Sequence, residues 1–255
     1  MVYDCFLFSN ELDILEIRLN ELKDVVDKFV IIESETTTSG LPKKLYFKEN
    51  IDRFKQFQDK IIYSSYKCPT ESKDAWVREE ASRNTLKYVL GYVKNDDKVI
   101  IADADELTST VAINNFEIDM EGRTLIQKFF YYRINCFIPS YIWGWSKIVS
   151  GSTYNKMSPQ AIRYARMPNL EVPGGWHFSF IGTPQMIANK IKAFAHQEYN
   201  RSPFIDIEHI KACMDAPKDI FNRPEYTLQY VSVDNTFPEY IQSNTEKYID
   251  MGLIK

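Results

Sequence analysis

Short apolar runs and amphipathic stretches alternate through the first hundred residues, and this alternation constrains the fold more than any other feature of the chain. Val2 to Phe8, Lys28 to Glu33, Ile61 to Tyr66 and Lys98 to Ala102 are apolar runs of strand length. Between them, Leu12, Leu15, Leu19 and Leu22 recur at helical spacing, Phe47 to Asp59 reads as helical, and Asp74 to Val93 has the length and charge pattern of a long helix. Strands alternating with helices predict a parallel sheet with crossover helices, an α/β layer of Rossmann type. Such sheets bind ligands beyond the carboxyl ends of their strands, so the residues after Glu33 and Ala102 mark the expected site. The hydroxyl-rich segment Ser34 to Lys44, with one Gly and one Pro, is expected to be a loop bordering it.

The second half reads differently. Thr124 to Ile134 and Tyr141 to Val149 are rich in aromatic and β-branched residues, which suits antiparallel strands. Helices are expected again at Pro184 to Ala195, behind a Thr183 cap, and at Asp206 to Met214, while the stretch from Phe221 onward carries no clear pattern.

Composition narrows the function classes. The 255 residues include 31 basic and 35 acidic side chains, for a net charge of −4 with no long run of one sign, which argues against a nucleic-acid binder. No run of apolar residues reaches membrane-spanning length, and Asp4 interrupts the first one, so the chain is expected to lack an integral membrane segment and a signal peptide. Cys5, Cys68, Cys136 and Cys213 are scattered singly without a CxxC pair, as expected of reduced thiols.

Asp103-Ala104-Asp105-Glu106 places three carboxylates in four residues directly after an apolar strand. Carboxylates at a strand end repel one another and lose hydration, so a compensating cation is expected. An Asp-x-Asp in this position suits Mn²⁺ or Mg²⁺, bound partly by protein oxygens and partly by a substrate diphosphate. The plainer alternative is a solvated acidic turn before a helix capped by Thr108 or Ser109. His177, in Gly174-Gly175-Trp176-His177-Phe178-Ser179, is either a further metal ligand or a core histidine, and the paired glycines are expected to let backbone approach a ligand. Tyr141, Trp143 and Trp145, with Trp176 later, form either a sugar-stacking platform or core packing. Arg78 and Arg83 are placed to meet phosphates or to lie on the surface. P-loop, GxGxxG and GxSxG motifs are absent from the sequence.

Several ordered motifs together carry a family resemblance. The run from Asn10-Glu11-Leu12-Asp13 through Arg18 to Leu22, the continuation Asp24 to Val30 and Glu33-Ser34, then Gly40-Leu41-Pro42, the Asp103 to Glu106 cluster and Gly175-Trp176-His177-Phe178-Ser179 resemble glycosyltransferase family 17 across about residues 3 to 182. The resemblance implies a GT-A fold, a UDP-sugar donor such as UDP-N-acetylglucosamine, a glycan acceptor, inversion at the anomeric carbon, and Mn²⁺ or Mg²⁺. It implies a metal set of Asp103, Asp105 and His177. Residues 1–107 would form the nucleotide-sugar half, 108–220 the acceptor half and 221–255 a C-terminal tail of a single domain. Glu33, Arg83, Asp103 and Glu106 are the expected donor contacts, and Trp143, Trp145 and Trp176 the expected acceptor contacts. An inverting transfer needs a base for the acceptor hydroxyl. Glu198 is the first candidate, with Asp206 and Glu171 behind it. Without an anchor sequence, a cytoplasmic location is expected.

Two other classes compete. A phosphatase of the haloacid-dehalogenase type also uses Asp-x-Asp after a strand, but on its first strand and with Thr two residues beyond; here the motif follows about the fourth strand and position 107 is Leu. A glycan-binding module without turnover would keep the aromatic platform alone.

Overall fold

The four apolar runs of the first hundred residues become β1 (Val2–Phe8), β2 (Lys28–Ser34), β3 (Ile61–Tyr66) and β4 (Lys98–Asp103) of a computed structural model that describes residues 1–68 and 70–255. They pair in parallel in the order β3-β2-β1-β4. Ile31, Val30, Phe6, Cys5, Ile100 and Ile101 are fully buried, so the centre of this sheet is covered on both faces, as continuous apolar strands require. One cover is α1 (Leu12–Leu22), whose Leu15, Leu19 and Leu22 enter the main core; α2 (Tyr46–Glu49) adds Phe47 to it. The other includes α3 (Ala75–Leu90), which packs on β1 and β2. The expected helix from Phe47 to Asp59 is only one α-turn followed by a 3₁₀ segment, Ile51–Lys60. Its two buried residues, Phe54 and Phe57, are three apart, the spacing at which a 3₁₀-helix keeps side chains on one face.

The aromatic segments of the second half form shorter strands than expected and divide between two sheets. The second sheet contains β5 (Glu106–Thr108), β7 (Gln127–Tyr131), β8 (Cys136–Trp143), β10 (Gly175–Ser179) and β11 (Gln229–Tyr230), in the order β11-β8-β7-β10-β5. It is mixed: β10 runs parallel to β7 and antiparallel to β5. The remaining strands, β6 (Gly122–Thr124) and β9 (Lys147–Ser150), extend the first sheet in antiparallel sense beyond β4. The two sheets therefore interleave along the chain.

Helix α4 (Thr110–Asn115) starts at Ser109, whose hydroxyl accepts from the Ala112 amide. Helices α5 (Gly151–Lys156) and α6 (Pro159–Tyr164) follow β9, with Ser150 and Ser158 as caps. Helix α7 (Pro184–Ala193) begins behind its Thr183 cap as expected, and α8 (Ile207–Asp215) follows Asp206. The unpatterned C-terminal stretch is ordered by long-range contacts. Its helices α9 (Glu239–Ser243) and α10 (Thr245–Asp250) bury Ile241 and Tyr248 in the core that holds α1, and the Tyr240 hydroxyl donates to Glu16. All four cysteines are free, with Cys5, Cys136 and Cys213 buried and Cys68 partly exposed. Among the described residues, no helix is long and apolar enough to cross a membrane.

Candidate active site

Tyr66, Ser34, Phe8 and Asp103 are the last residues of β3, β2, β1 and β4, and all four line one cavity of about 910 Å³. That is where a parallel sheet presents ligands. The opposite wall is one face of the second sheet. Phe129 and Tyr131 of β7 lie in register with His177 and Ser179 of β10, and Trp143 of β8 joins them. The cavity lining holds seven Lys and Arg side chains against four Asp and Glu, in a chain whose net charge is −4. An anionic ligand is favoured there.

The acid cluster after β4 is not a solvated turn. Glu106 has no exposed surface, and Asp105 is 7% exposed. Each carboxylate is ion-paired, and Arg163 is shared by two of them. Asp103 accepts from Arg83 at 2.8 Å on Oδ1 and from Arg163 at 2.9 Å on Oδ2. Burial pushes the Asp103 carboxyl up, but Arg163 and Arg83 outweigh it and hold it below the ordinary carboxylate value. Glu106 takes both nitrogens of the Arg163 fork, at 2.5 and 2.6 Å. It also accepts from the Trp143 indole, the Ser146 hydroxyl and the Asp103 amide. For Glu106 too, burial is outweighed by Arg163, and the carboxyl stays ionised. Glu106, expected among the donor contacts, instead anchors the loop by gripping Arg163 and the Asp103 backbone, and it does not line the cavity.

Asp105 points elsewhere. Its Oδ2 accepts from the Lys190 ammonium of α7 at 2.6 Å, and its Oδ1 lies 3.5 Å from His177 Nε2. Burial raises the Asp105 pKa, but Lys190 and His177 overcome it and leave the carboxyl well below its ordinary value; Asp105 and Glu11 reciprocally raise Lys190 against its burial. The His177 ring is stacked parallel on Phe129, centroids 4.8 Å apart, with Trp143 at 4.0 Å, and its Nδ1 is buried without a hydrogen-bond partner among the described residues.

The residues present fit a divalent ion in part. Among the described residues, no group of three His, Cys, Asp or Glu side chains is placed to hold a metal. Asp103, expected beside Asp105 and His177, is turned to the two arginines, because alternate residues of the turn leave β4 in different directions and Asp103 meets α3 and α6. Asp105 and His177 remain as a two-donor set. That number suits a hard ion that takes its other ligands from phosphate and water.

The loop backbone is fixed from beneath by Arg18 of α1. Its guanidinium has no exposed surface and pairs with Asp4 through two bonds of 2.7 and 2.6 Å. The remaining nitrogen donates to the carbonyls of Asp103, Ala104 and Glu106. A guanidinium suits this task because its planar fork spends two donors on the carboxylate and leaves others for carbonyls.

The other expected residues are distributed as follows. Arg83, Trp143 and Trp145 line the cavity, Trp145 in edge contact with Tyr164, and Tyr141 packs on Phe129 and Tyr226 behind that wall. Trp176 does not join them. It alternates with His177 along β10, so it faces the opposite side of the sheet, packs on the main core and donates to the Thr236 carbonyl. Glu33 has no exposed surface and lies beneath the lining, accepting from Lys43, the Phe47 amide and Tyr63. Arg78 pins the Ser34–Lys44 loop by donating to the Thr38 carbonyl. Glu198, Asp206 and Glu171 are exposed and absent from the lining: Glu198 pairs with His196 at 2.7 Å, and Asp206 accepts from Ser202. The paired glycines serve backbone packing rather than ligand approach, since a Cβ at Gly174 would lie 2.4 Å from the Ile126 nitrogen and one at Gly175, where φ is +129°, 2.0 Å from the Leu107 oxygen.

Sequence reasoning passed over Arg18, Arg163 and Lys190. Arg18 offered one signal, a charged residue on the apolar face of α1 between Leu15 and Leu19. Arg163 and Lys190 offered none, because each reads as an ordinary surface cation of a short helix.

The model of glycosyltransferase family 17 matches residues 1–247. The chain belongs to this family. Similar proteins include the β-1,4-mannosyl-glycoprotein 4-β-N-acetylglucosaminyltransferases of Rattus norvegicus, 27% identical over 241 residues, and of Homo sapiens, 27% identical over 234 residues. The matches cover 78% and 76% of this family-17 chain but 44% and 43% of those proteins, so the chain spans less than half the length of these curated relatives.

Proposed function

We propose that this family-17 chain is an inverting glycosyltransferase of GT-A type that moves a sugar, N-acetylglucosamine by analogy with its relatives, from a UDP-sugar to a glycan hydroxyl. The observation that carries the proposal is the placement of Asp103 and Asp105, at the carboxyl end of β4, inside a cationic cavity that also has an aromatic wall. A nucleoside diphosphate is matched by the cations Arg83, Lys43, Lys190 and Lys192, and sugar rings by Trp143 and Trp145. At about 910 Å³ the cavity lies near the upper end of the roughly 300–1,000 Å³ typical of small-molecule sites, consistent with two substrates side by side.

In this reading, ion-paired Asp103 orients Arg83 toward the nucleotide, and the aromatic wall holds the acceptor and excludes water from the anomeric carbon. Inversion follows from one displacement, in which the acceptor hydroxyl attacks opposite the leaving diphosphate and gives its proton to a base. Mn²⁺ or Mg²⁺, which Asp105 and His177 would hold, supplies Lewis-acid stabilisation of the leaving phosphate charge.

Thermal unfolding with UDP, UDP-N-acetylglucosamine and other nucleotide-sugars, each with and without Mn²⁺, tests the reading, since ligands that bind only the native state raise its melting temperature. A metal-dependent rise with UDP and one UDP-sugar is expected. The absence of any rise with every nucleotide would overturn it.

A further inference from the structure

We propose that Lys190 is a built-in competitor for the metal at Asp105, so that a divalent ion enters this site only together with a diphosphate. The inference rests on the nucleotide-sugar reading above and adds the order in which its components assemble.

The charge balance of the site carries the argument. Asp103, Asp105 and Glu106 are three carboxylates, and Arg83, Arg163 and Lys190 are three cations within hydrogen-bond distance of them. Counted over the whole cavity lining, seven Lys and Arg side chains stand against four Asp and Glu, so the site has no surplus negative charge to attract a dication. Lys190 holds the one carboxylate that also faces His177, at 2.6 Å, and its ammonium is 3.5 Å from Glu11 as well. An ion binding at Asp105 must therefore displace an ammonium and accept repulsion from two fixed guanidiniums.

A diphosphate reverses both costs. It brings the negative charge that the dication needs and offers Lys190 a new anionic partner. Lys190 can change partners more readily than Arg83 or Arg163. Its side chain is one-quarter exposed at the cavity, whereas theirs are 2% and 6% exposed. Its flexible stem also ends in a compact charge without the planar fork that fixes an arginine. The result is positive coupling between metal and nucleotide with Lys190 as the element that moves.

The test is a Mn²⁺ titration followed by the electron paramagnetic resonance of free Mn²⁺, with and without UDP, on the whole chain and on Lys190→Met and Lys190→Arg. Unmodified protein is expected to bind Mn²⁺ at least tenfold more tightly with UDP than without it, within the usual range of coupling between sites. Lys190→Met is expected to bind Mn²⁺ alone about tenfold more tightly than the unmodified chain and to lose most of the coupling. Lys190→Arg, which keeps the charge, should stay within a few-fold of the unmodified chain. A Lys190→Met protein with an unshifted melting temperature and unchanged Mn²⁺ affinity would overturn the role of Lys190 while leaving the nucleotide-sugar reading intact. Failure of the unmodified chain to bind UDP even with Mn²⁺ would overturn that reading, and this inference with it.

Discussion

Arg18 and Asp4, both without exposed surface, form a two-bond ion pair from α1 to β1, and the free edge of the same guanidinium caps the carbonyls of Asp103, Ala104 and Glu106. The pair thus links the first strand to the loop carrying the acid cluster, about a hundred residues away in the chain. Two charges removed from water are stable here because nearly every donor has a partner.

The two halves of that arrangement can be separated. Arg18→Met should destabilise the fold by about 3–5 kcal/mol, because it leaves Asp4 buried and ionised without a counter-charge. Adding Asp4→Leu should recover most of the loss, since an apolar pair of similar volume tolerates the site. The loop carbonyls stay uncapped in both variants, so UDP binding should remain weakened in the double variant. Urea unfolding and nucleotide titration of the three proteins check this, and full recovery of nucleotide affinity in the double variant would contradict the positioning role.

Arg163 and Arg83 both touch Asp103, but their removal should have different consequences. Arg163→Met strips fully buried Glu106 of its cation and should cost about 3–5 kcal/mol of stability. Arg83→Met leaves Asp103, one-third exposed, still paired with Arg163, and should cost only about 1–2 kcal/mol. Its main effect should be on the ligand, with UDP affinity falling roughly tenfold for the lost charge-assisted contact. Unfolding and binding curves measured side by side distinguish the two; equal stability losses would show that Glu106 is not the more demanding partner.

How far these features were legible from sequence depends on the range of the interaction that makes them. The parallel strands were readable because continuous apolar runs such as Phe29 to Ile32 report burial on both faces without knowledge of their neighbours. The acid cluster was readable because it follows such a run directly. Strands β6 and β9 were not, since three or four residues carry little pattern and only the pairing of β9 with β4, and of β6 with β9, decides which sheet they join. The cations were hidden for a related reason. Arg163 lies 57 residues from Glu106 and Lys190 85 residues from Asp105, distances over which charge pattern gives no pairing information. Trp176 and Trp143 looked equivalent in sequence, and the alternation of β10 about His177 separates them.

Lys147 provides a pH prediction at the far edge of the acid cluster. It is 3% exposed on β9 and donates to the Gly144 carbonyl, and burial together with repulsion from Arg163 pulls its pKa from 10.5 down to about 8. Between those values the unfolded chain holds a proton that the folded chain has released. Stability therefore gains a rising contribution as the pH increases from about 8 to 10.5, and below pH 8 the buried charge costs on the order of 3 kcal/mol. Lys147→Met should be more stable than the unmodified chain at pH 7, by an amount that shrinks to near zero by pH 10.5. Urea midpoints over that range measure the difference, and a constant difference would contradict the shift.

The acceptor base gives the last prediction. Glu198 and Asp206 are exposed and outside the cavity lining, while Glu11 and Glu79 are the carboxylates within it besides Asp103 and Asp105, among the described residues. A base must come within hydrogen-bond reach of the acceptor hydroxyl, and removing one typically costs about 10²–10⁴ in rate. Glu198→Gln and Asp206→Asn should therefore keep kcat within about twofold, whereas Glu11→Gln or Glu79→Gln should lower it by about 10² or more. Glu79 and Glu11 each hold another cation, Arg83 and Lys190, so the KM for donor must be followed together with kcat. A loss confined to kcat identifies the base, and a loss shared with donor KM identifies a residue acting through its cation. If Glu198→Gln alone abolishes turnover with donor KM unchanged, the segment around His196 must close over the cavity during the reaction and bring that carboxylate to the acceptor.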